Sequence, residues 1–342
     1  MIAKARGDID DAVRRYESAR SIAIDVNDAP RTAQILNNLG NLLRQRGDLD
    51  AALGAFEESL EARRAMRDRL GVAACFNNLA TTETVRGDFE EALALASTAF
   101  ALFEELGDLR GVLIASLNLA ELEIEIGSYE HAREHIERSS ELARTSGSKP
   151  LEATALAHRA RLAERQGDLA SAESHARAML ASFGESAPKP LRTRALATLL
   201  DVCSRTDRSE EADSARDEAH ALIETALDSA AALEFAIASA MHTARIGDLA
   251  AARDELELSL AALAAAPRVL RARASCALGT IYRDLGPDWA DRVERHFEHA
   301  IKEFADMGAL RDLALARTEY SHYWSLLGED EAAASLLEPL ET

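Results

Sequence analysis

The chain has 342 residues, of which 47% are hydrophobic, 5% are aromatic and 29% are charged. Its formal net charge is −20, from 59 acidic and 39 basic residues, and a field of this sign repels phosphate backbones and anionic lipids. We therefore expect neither a nucleic-acid nor a membrane partner, and the apolar content excludes wholesale disorder.

The cysteines and the N-terminus indicate the compartment. Cys75, Cys203 and Cys276 lie far apart and form no CxxC pair, so we expect them to be buried, reduced thiols. The first residues contain no apolar signal-peptide core, and no apolar run approaches 18 residues. These features predict a cytoplasmic chain.

A turn signal recurs every 40 residues along the chain. Glycine can end a helix in the left-handed conformation, and a following aspartate can cap the next helix. An alanine stands five residues after each of the first seven turns, and small or apolar residues stand seven residues before turns of the series, so the two helices of a unit can approach closely. The turn positions are Gly7, Gly47, Gly87, Gly127, Gly167, Asp207, Gly247, Gly286 and Gly328.

Larger apolar residues lie one helical step from these columns. In the unit that contains Gly47 they are Leu49, Leu53, Phe56 and Leu60, spaced i, i+4, i+7 and i+11. A helical hairpin of this kind cannot bury its apolar face alone and must stack on its neighbours. The repeat therefore predicts an all-α array of stacked helix hairpins.

The pattern Leu39-Gly40, Gly47-Asp48, Ala52 and Phe56, repeated one unit later, resembles the tetratricopeptide repeat family. The period of 40 residues is longer than the usual 34, and the early Trp is missing, as in the subclass found in bacterial signalling and regulatory proteins and in kinesin light chain. The resemblance implies a right-handed α-solenoid of antiparallel helix hairpins. We expect a single array over 1–342, with a half-repeat at 1–30 and repeats at about 31–70, 71–110, 111–150, 151–190, 191–230, 231–268, 269–308 and 309–342.

The two ends of the array are atypical. Only six residues precede the predicted turn at Gly7, so we expect a fragment of a longer protein with a further domain or more repeats upstream. Aromatic residues gather near the C-terminus, and a capping core explains them better than a binding site does, because terminal units seal the end of a stack. These residues are Tyr282, Trp289, Phe297, Phe304, Tyr320, Tyr323 and Trp324.

The sequence carries no recognisable enzyme motif. It has no phosphate-binding loop, no dinucleotide fingerprint, no nucleophile elbow and no HExxH. His131 and His135, like His296 and His299, share a helix face, but a metal needs at least a third ligand and none stands at an obvious spacing. We therefore predict neither catalysis nor a metal or cofactor.

In the family, the first helices of successive units line a concave groove that holds a peptide. The residue just before the Leu-Gly pair reads Asn38, Asn78, Asn118 and His158 in successive units, followed by Thr198. The resemblance implies that Asn here bonds the peptide backbone, because its amide is both donor and acceptor. Equally, these side chains can bond neighbouring helices and stiffen the stack, and both roles remain open.

A second column contains arginines. Arg165, Arg205 and Arg245 stand two residues before successive turns, and Arg161 and Arg194 occupy other groove positions. Such a stripe suits an acidic segment. Arginine in the last turn of a helix also complements its dipole, which is the stronger alternative.

Together these features predict a non-enzymatic interaction module that binds a peptide or protein segment in its groove. The alternatives are a peptide-sensing regulatory arm of a multidomain ATPase, kinase or transcription regulator, and a scaffold that oligomerises through its open ends. The predicted partner-binding residues are Asn38, Asn78, Asn118, His158, Arg161, Arg165, Arg194, Arg205 and Arg245.

Overall fold

A computed structural model describes residues 2–223 and 228–337. Within these ranges the chain forms 17 α-helices and no β-strand, which confirms the predicted α-solenoid. In chain order the helices are α1 (Ile2–Asp25), α2 (Ala29–Arg46), α3 (Leu49–Ala65), α4 (Arg69–Arg86), α5 (Phe89–Leu106), α6 (Leu109–Ile126), α7 (Tyr129–Thr145), α8 (Lys149–Gln166), α9 (Leu169–Phe183), α10 (Lys189–Arg205), α11 (Ser209–Ile223), α12 (Ser229–Arg245), α13 (Leu249–Ala262), α14 (Arg268–Leu285), α15 (Ala290–Met307), α16 (Leu310–Leu326) and α17 (Asp330–Ser335).

From α2 onward the helices form consecutive hairpins, each made of an even-numbered first helix and an odd-numbered second helix. Each of the first helices from α2 to α14 contacts the next first helix, whereas each second helix packs mainly on the first helices beside it. Because only the first helices touch one another in series, they form the inner, concave layer of the solenoid.

The predicted turn chemistry is present. Gly87 ends α4 with φ 90°, and the Asp88 carboxylate accepts a hydrogen bond from the Glu91 backbone N–H. Asp207 takes the left-handed conformation with φ 58° where the series lacks glycine. Asp and Asn tolerate this region better than most residues, so the turn survives the substitution.

The turn predicted at Gly7 is wrong, since α1 runs unbroken from Ile2 to Asp25. Glycine inside a helix costs only about 1 kcal/mol relative to alanine. The segment therefore continues as one helix that packs on α2.

Small residues let the two helices of a hairpin approach closely. The alanine column after the turns is fully buried at Ala52, Ala92 and Ala132, and Phe56 packs against Gly40. A Cβ atom placed on Gly40 would lie 2.7 Å from two carbons of the Phe56 ring, which is itself fully buried. The glycine therefore makes room for the aromatic ring.

We expect Gly40→Ala to lower the free energy of unfolding by about 1–2 kcal/mol, because the clash outweighs the better helix propensity of alanine. Gly54 in α3 is the matched control, since a Cβ there meets nothing within 4 Å. Gly54→Ala should raise the free energy of unfolding by about 0.5–1 kcal/mol. Urea unfolding followed by circular dichroism measures both, and equal effects would contradict the packing role of Gly40.

The C-terminal aromatic residues form the predicted capping core. Tyr282, Phe297, Phe304 and Tyr320 are each at most 5% exposed, and the rings of Phe297 and Tyr320 stack with centroids 5.3 Å apart. Burial, together with the Glu257 carboxylate that accepts its hydroxyl, raises the pKa of Tyr282 to about 12. These rings seal the last hairpins rather than line a groove.

The three cysteines are free thiols, with Cys75 and Cys203 buried and Cys276 partly buried. Burial raises the pKa of Cys276 to about 12, so this thiol is unreactive at neutral pH. Among the described helices, none combines the length and the apolar character needed to cross a bilayer.

The solenoid returns on itself. α14 touches α4, and Met307 at the end of α15 lies against the turn at Gly87. Phe89 and Leu122 from the N-terminal half share one apolar cluster with Met307 and the C-terminal aromatics. The C-terminal hairpins thus close over the concave face, and this closure positions the site described next.

A candidate ligand groove on the concave face

The first helices α8, α10, α12 and α14 surround a cavity of about 220 Å³ on the concave face. On α8, Ala157, Arg161 and Glu164 are spaced i, i+4 and i+7, so they present one helix face to the cavity. The same spacing places polar side chains of α10 and α12 beside them. An apolar wall completes the cavity and consists of Leu191, Ile237, Met241 and Leu270.

A buried ion pair joins α8 to α16 at the edge of this cavity. The Arg165 guanidinium donates to both carboxylate oxygens of Asp312, at 2.8 and 2.7 Å. Arg273 of α14 donates to the same carboxylate at 2.7 Å and also to Glu125 of α6. Four helices from distant parts of the chain are therefore tied by one set of charges.

Two further arginines extend the network along the groove. Arg161 pairs with Glu125, with Glu121 at 3.4 Å and with Glu234 at 3.1 Å. Arg194 pairs with Glu121 at 3.4 Å and with Glu234 at 3.2 Å. Each of these guanidinium groups therefore already has carboxylate partners within the chain.

The network shifts the acidities of its members. Burial alone would raise the pKa of Asp312, but Arg273 and Arg165 outweigh it and hold the pKa well below its usual range. The same balance lowers the pKa of Glu121 to about 2, with Arg194 as the strongest neighbouring charge. Both carboxylates are ionised at neutral pH, as buried members of an ion pair must be.

Burial lowers the pKa of His158 to about 4, against the opposing charge of Glu121. Glu164 shows the reverse, because burial and the nearby Asp201 and Glu234 raise its pKa. Among the described residues, the Thr198 hydroxyl is the group that donates to Glu164, at 3.1 Å. The cavity thus holds a neutral imidazole and a carboxyl group whose ionised form is disfavoured.

A sequence model of the tetratricopeptide repeat matches residues 1–65, 71–145 and 111–184, which together cover more than half of the chain. The chain belongs to the tetratricopeptide repeat family. No curated protein sequence matches it.

Solved structures with the same fold include three regulators. The Rap conjugation gene regulator of plasmid pLS20, in complex with the Phr* peptide, has a TM-score of 0.66 at 13% identity, covering 84% of this chain and 78% of that one. The apo quorum sensor NprR from B. thuringiensis has a TM-score of 0.59 at 14% identity and covers 97% of each chain. A Rap protein complexed with competence and sporulation factor has a TM-score of 0.54 at 13% identity, covering 98% of this chain and 95% of that one. At such identities the similarity shows the fold alone.

In this tetratricopeptide repeat array the asparagine column is bonded across helices. Asn78 donates to Asn37 at 2.8 Å, and Asn118 donates to Asn77 at 2.9 Å. Asn38 makes a longer contact with the Tyr16 hydroxyl, at 3.5 Å. The stack-stiffening alternative is therefore present, and a peptide contact remains a prediction.

The structure separates the predicted arginines into two groups. Arg161, Arg165 and Arg194 line the cavity together with His158. Arg205 and Arg245 are exposed and pair with Asp201 at 3.2 and 3.5 Å. Their position in the last turns of α10 and α12 suits the helix dipole.

Sequence reasoning missed the carboxylates of the site. Glu121 stands 40 residues before Arg161 and Glu125 stands 40 before Arg165, so the repeat register offered a signal for these two. Asp312 offered none, because its contact with Arg165 spans 147 residues.

The candidate metal positions have other partners. His135 Nδ1 bonds Glu123 at 2.8 Å, and His131 Nδ1 bonds Ser128 at 2.9 Å. The cluster of Glu173, Cys203 and Glu211 on the convex side is neutralised by arginines, since Arg208 pairs with Glu173 at 2.7 Å. Arg177 pairs with both carboxylates. This cluster is a salt-bridge network.

Proposed function

We propose that this tetratricopeptide repeat chain is a non-enzymatic interaction module that binds a peptide or protein segment in its concave groove. The observation that carries the proposal is the cavity between α8, α10, α12 and α14, where an apolar wall faces fixed charges. Sites of this composition bind organic ligands through apolar contact and orient them by a few polar groups. We propose a role in bacterial signalling or regulation, in the cytoplasm.

Structurally similar proteins support a peptide as the ligand. The pLS20 Rap regulator was solved with the Phr* peptide, and a second Rap protein with competence and sporulation factor. Similarity of fold makes a comparable groove available here, and the ligand itself must be chosen by this chain's own side chains.

For the asparagine column we expect a measurable part in binding. Replacing Asn38, Asn78 and Asn118 together with alanine removes the free hydrogen-bonding capacity of three amides along the concave face. The triple variant should bind a groove peptide more weakly and keep its helicity, because alanine offsets part of the lost side-chain bonds through its higher helix propensity. Fluorescence anisotropy of a labelled peptide measures the change, and an unchanged affinity would assign the column to stacking alone.

If the partner segment is acidic, we propose that it meets Arg205 and Arg245 at the rim. These side chains are exposed and share one carboxylate, Asp201, whereas the guanidinium groups inside the cavity are held in buried ion pairs. Arg205→Gln with Arg245→Gln should weaken acidic peptides and leave neutral ones unaffected. Equal loss for both peptide classes would rule out the charge contact.

The function is tested by selecting random heptapeptides on the native chain and measuring selected peptides on two variants. Ile237→Glu places a charge on the apolar wall of the cavity, and Leu258→Glu changes a 73% exposed residue of the outer helix α13. Ile237→Glu should reduce affinity by about tenfold or more, since one lost apolar contact is worth about 1.5 kcal/mol. If Leu258→Glu weakens binding equally, or neither variant does, the groove is not the binding site.

A second candidate function is a peptide-sensing regulatory arm. The ion pairs of Asp312 tie α16 to α8 and α14 across the groove, so a ligand that enters can change the closure of the array. Small-angle X-ray scattering with and without a selected peptide tests this candidate. A radius of gyration that stays the same on binding would leave only the simple interaction module.

A further inference from the structure

Most of the charges around the cavity belong to ion pairs. Within the network, four guanidinium groups pair with four carboxylates. The arginines are Arg161, Arg165, Arg194 and Arg273, and the carboxylates are Glu121, Glu125, Glu234 and Asp312. Glu164 lines the cavity, together with Glu234 and Asp201.

Glu164 has no ion pair in the described part of the chain. The Thr198 hydroxyl is its hydrogen-bond donor, at 3.1 Å. The neighbouring carboxylate, Asp201, pairs with Arg205 and Arg245 at the rim of the cavity. Because an ionised carboxylate in a low-dielectric site is costly without a counter-ion, a cation that enters the cavity would stabilise the ionised form of Glu164.

His158 is a second unsatisfied group in the cavity. It is only 6% exposed, and its imidazole makes no hydrogen bond within residues 2–223 and 228–337. A neutral imidazole offers one donor and one acceptor. Because His158 lines the cavity, its imidazole is available to a ligand there.

The size and the apolar wall of the cavity limit which ligands can enter it. A volume of about 220 Å³ equals the liquid volume of roughly seven water molecules at ~30 Å³ each. Leu191, Ile237 and Met241 form an apolar surface beside Glu164. The space suits a short aliphatic chain that ends in a charge.

The geometry points to a primary alkylammonium group as the ligand of this cavity. Glu164 is its counter-ion, His158 contacts a further polar group of the ligand, and the apolar wall packs on its methylenes. Such a group comes either from a free aliphatic amine or from a lysine side chain of a peptide. In the second case the inference rests on the proposed groove function.

Isothermal titration calorimetry of the full chain at pH 7.5 tests the inference with n-hexylammonium, hexanol and hexanoate. We expect binding of n-hexylammonium, much weaker binding of hexanol and none of hexanoate. Glu164→Gln should weaken n-hexylammonium by about 10- to 100-fold, the value of one charge-assisted contact. Glu152→Gln in the same helix, where Glu152 pairs with Lys149 at 2.9 Å, is the matched control and should bind normally.

The stability of the free chain gives a second readout. Glu164→Gln should unfold at the same or a higher temperature than the native chain, because glutamine can still accept from Thr198 and carries no carboxyl group that is costly to ionise when buried. A markedly lower unfolding temperature would show that Glu164 has a structural counter-ion, and it would overturn the inference.

A pair of blocked pentapeptides separates the two sources of the ammonium group. One has a central lysine between alanines, and the other has norleucine at that place. Selective binding of the lysine peptide supports a peptide ligand, while binding of n-hexylammonium alone supports a free amine. If neither the amine nor the lysine peptide binds, the inference fails. The groove function would still be supported if selected heptapeptides bind the native chain and no longer bind the Ile237→Glu variant.

Discussion

Asp312→Ala is expected to lower the free energy of unfolding by about 3–5 kcal/mol, the usual cost of removing one partner from a buried ion pair. Asp312 is 5% exposed and Arg165 is 8% exposed, so the variant leaves a guanidinium in the interior without its carboxylate. Of the partners that the structure describes for Arg273, Glu125 remains. Because Asp312 ties α16 to α8, we also expect a larger radius of gyration. Urea unfolding and small-angle X-ray scattering measure the two effects.

Two further variants separate burial from charge in the Asp312 contact. Glu105→Ala breaks an exposed pair with Arg69, at 2.6 Å, and should cost at most about 1 kcal/mol. Replacing Arg165 by methionine and Asp312 by leucine together should recover most of the loss, because no unpaired charge remains at their contact. If Asp312→Ala costs no more than Glu105→Ala, the contact does not hold the closure.

Lowering the pH from 6.5 to 4 is expected to destabilise the chain through His158. Its pKa is about 4 in the folded protein and about 6.5 when unfolded. Between these values the unfolded chain binds more protons, so stability is fully present above pH 6.5 and falls as the pH drops. The shift corresponds to about 3 kcal/mol as an upper bound. Urea unfolding at pH 7.5 and pH 4.5 measures the difference.

His158→Asn, which restores the residue type of the preceding repeats, should reduce that pH dependence. His322→Asn is the control, because His322 is exposed in the folded chain. Burial also lowers the pKa of His296 to about 4. The His158 variant should therefore keep the part of the pH dependence that comes from His296. Glu164 acts against the loss of stability at low pH, since its raised pKa favours the folded state at lower pH. A His158→Asn variant with the full native pH dependence would contradict the assignment.

The effects expected from Asp312→Ala and from the protonation of His158 arise in the same ion-pair network. Arg161 and Arg194 surround His158 and oppose its protonation, and the carboxylates that balance them belong to the network that Asp312 completes. Below pH 4 we therefore expect a second loss of folding stability. Asp312 and Glu121, whose pKa values are lowered in the folded chain, become protonated there.

Part of this site was predictable from residue spacing. The register of 40 aligned His158 and Arg165 with their columns, and the resemblance to the family put Arg161 and Arg194 at groove positions. The structure places all four around one cavity. The same register gave no reason to separate Arg165 from Arg205, although the first is buried in an ion pair and the second is exposed. Their difference depends on which helix lies opposite each of them.

The sequence by itself determined the helix hairpins, because each depends on a few adjacent residues. Gly87 and Asp88 end one helix and begin the next, and the buried Ala92 lets them pack. Only the tertiary structure decided the closure and the charge pairs within it. The curvature of a solenoid is the sum of small rotations between successive hairpins, so the residues of a single hairpin do not predict it. The contact of Arg165 with Asp312, 147 residues away, exists only once the whole array has folded.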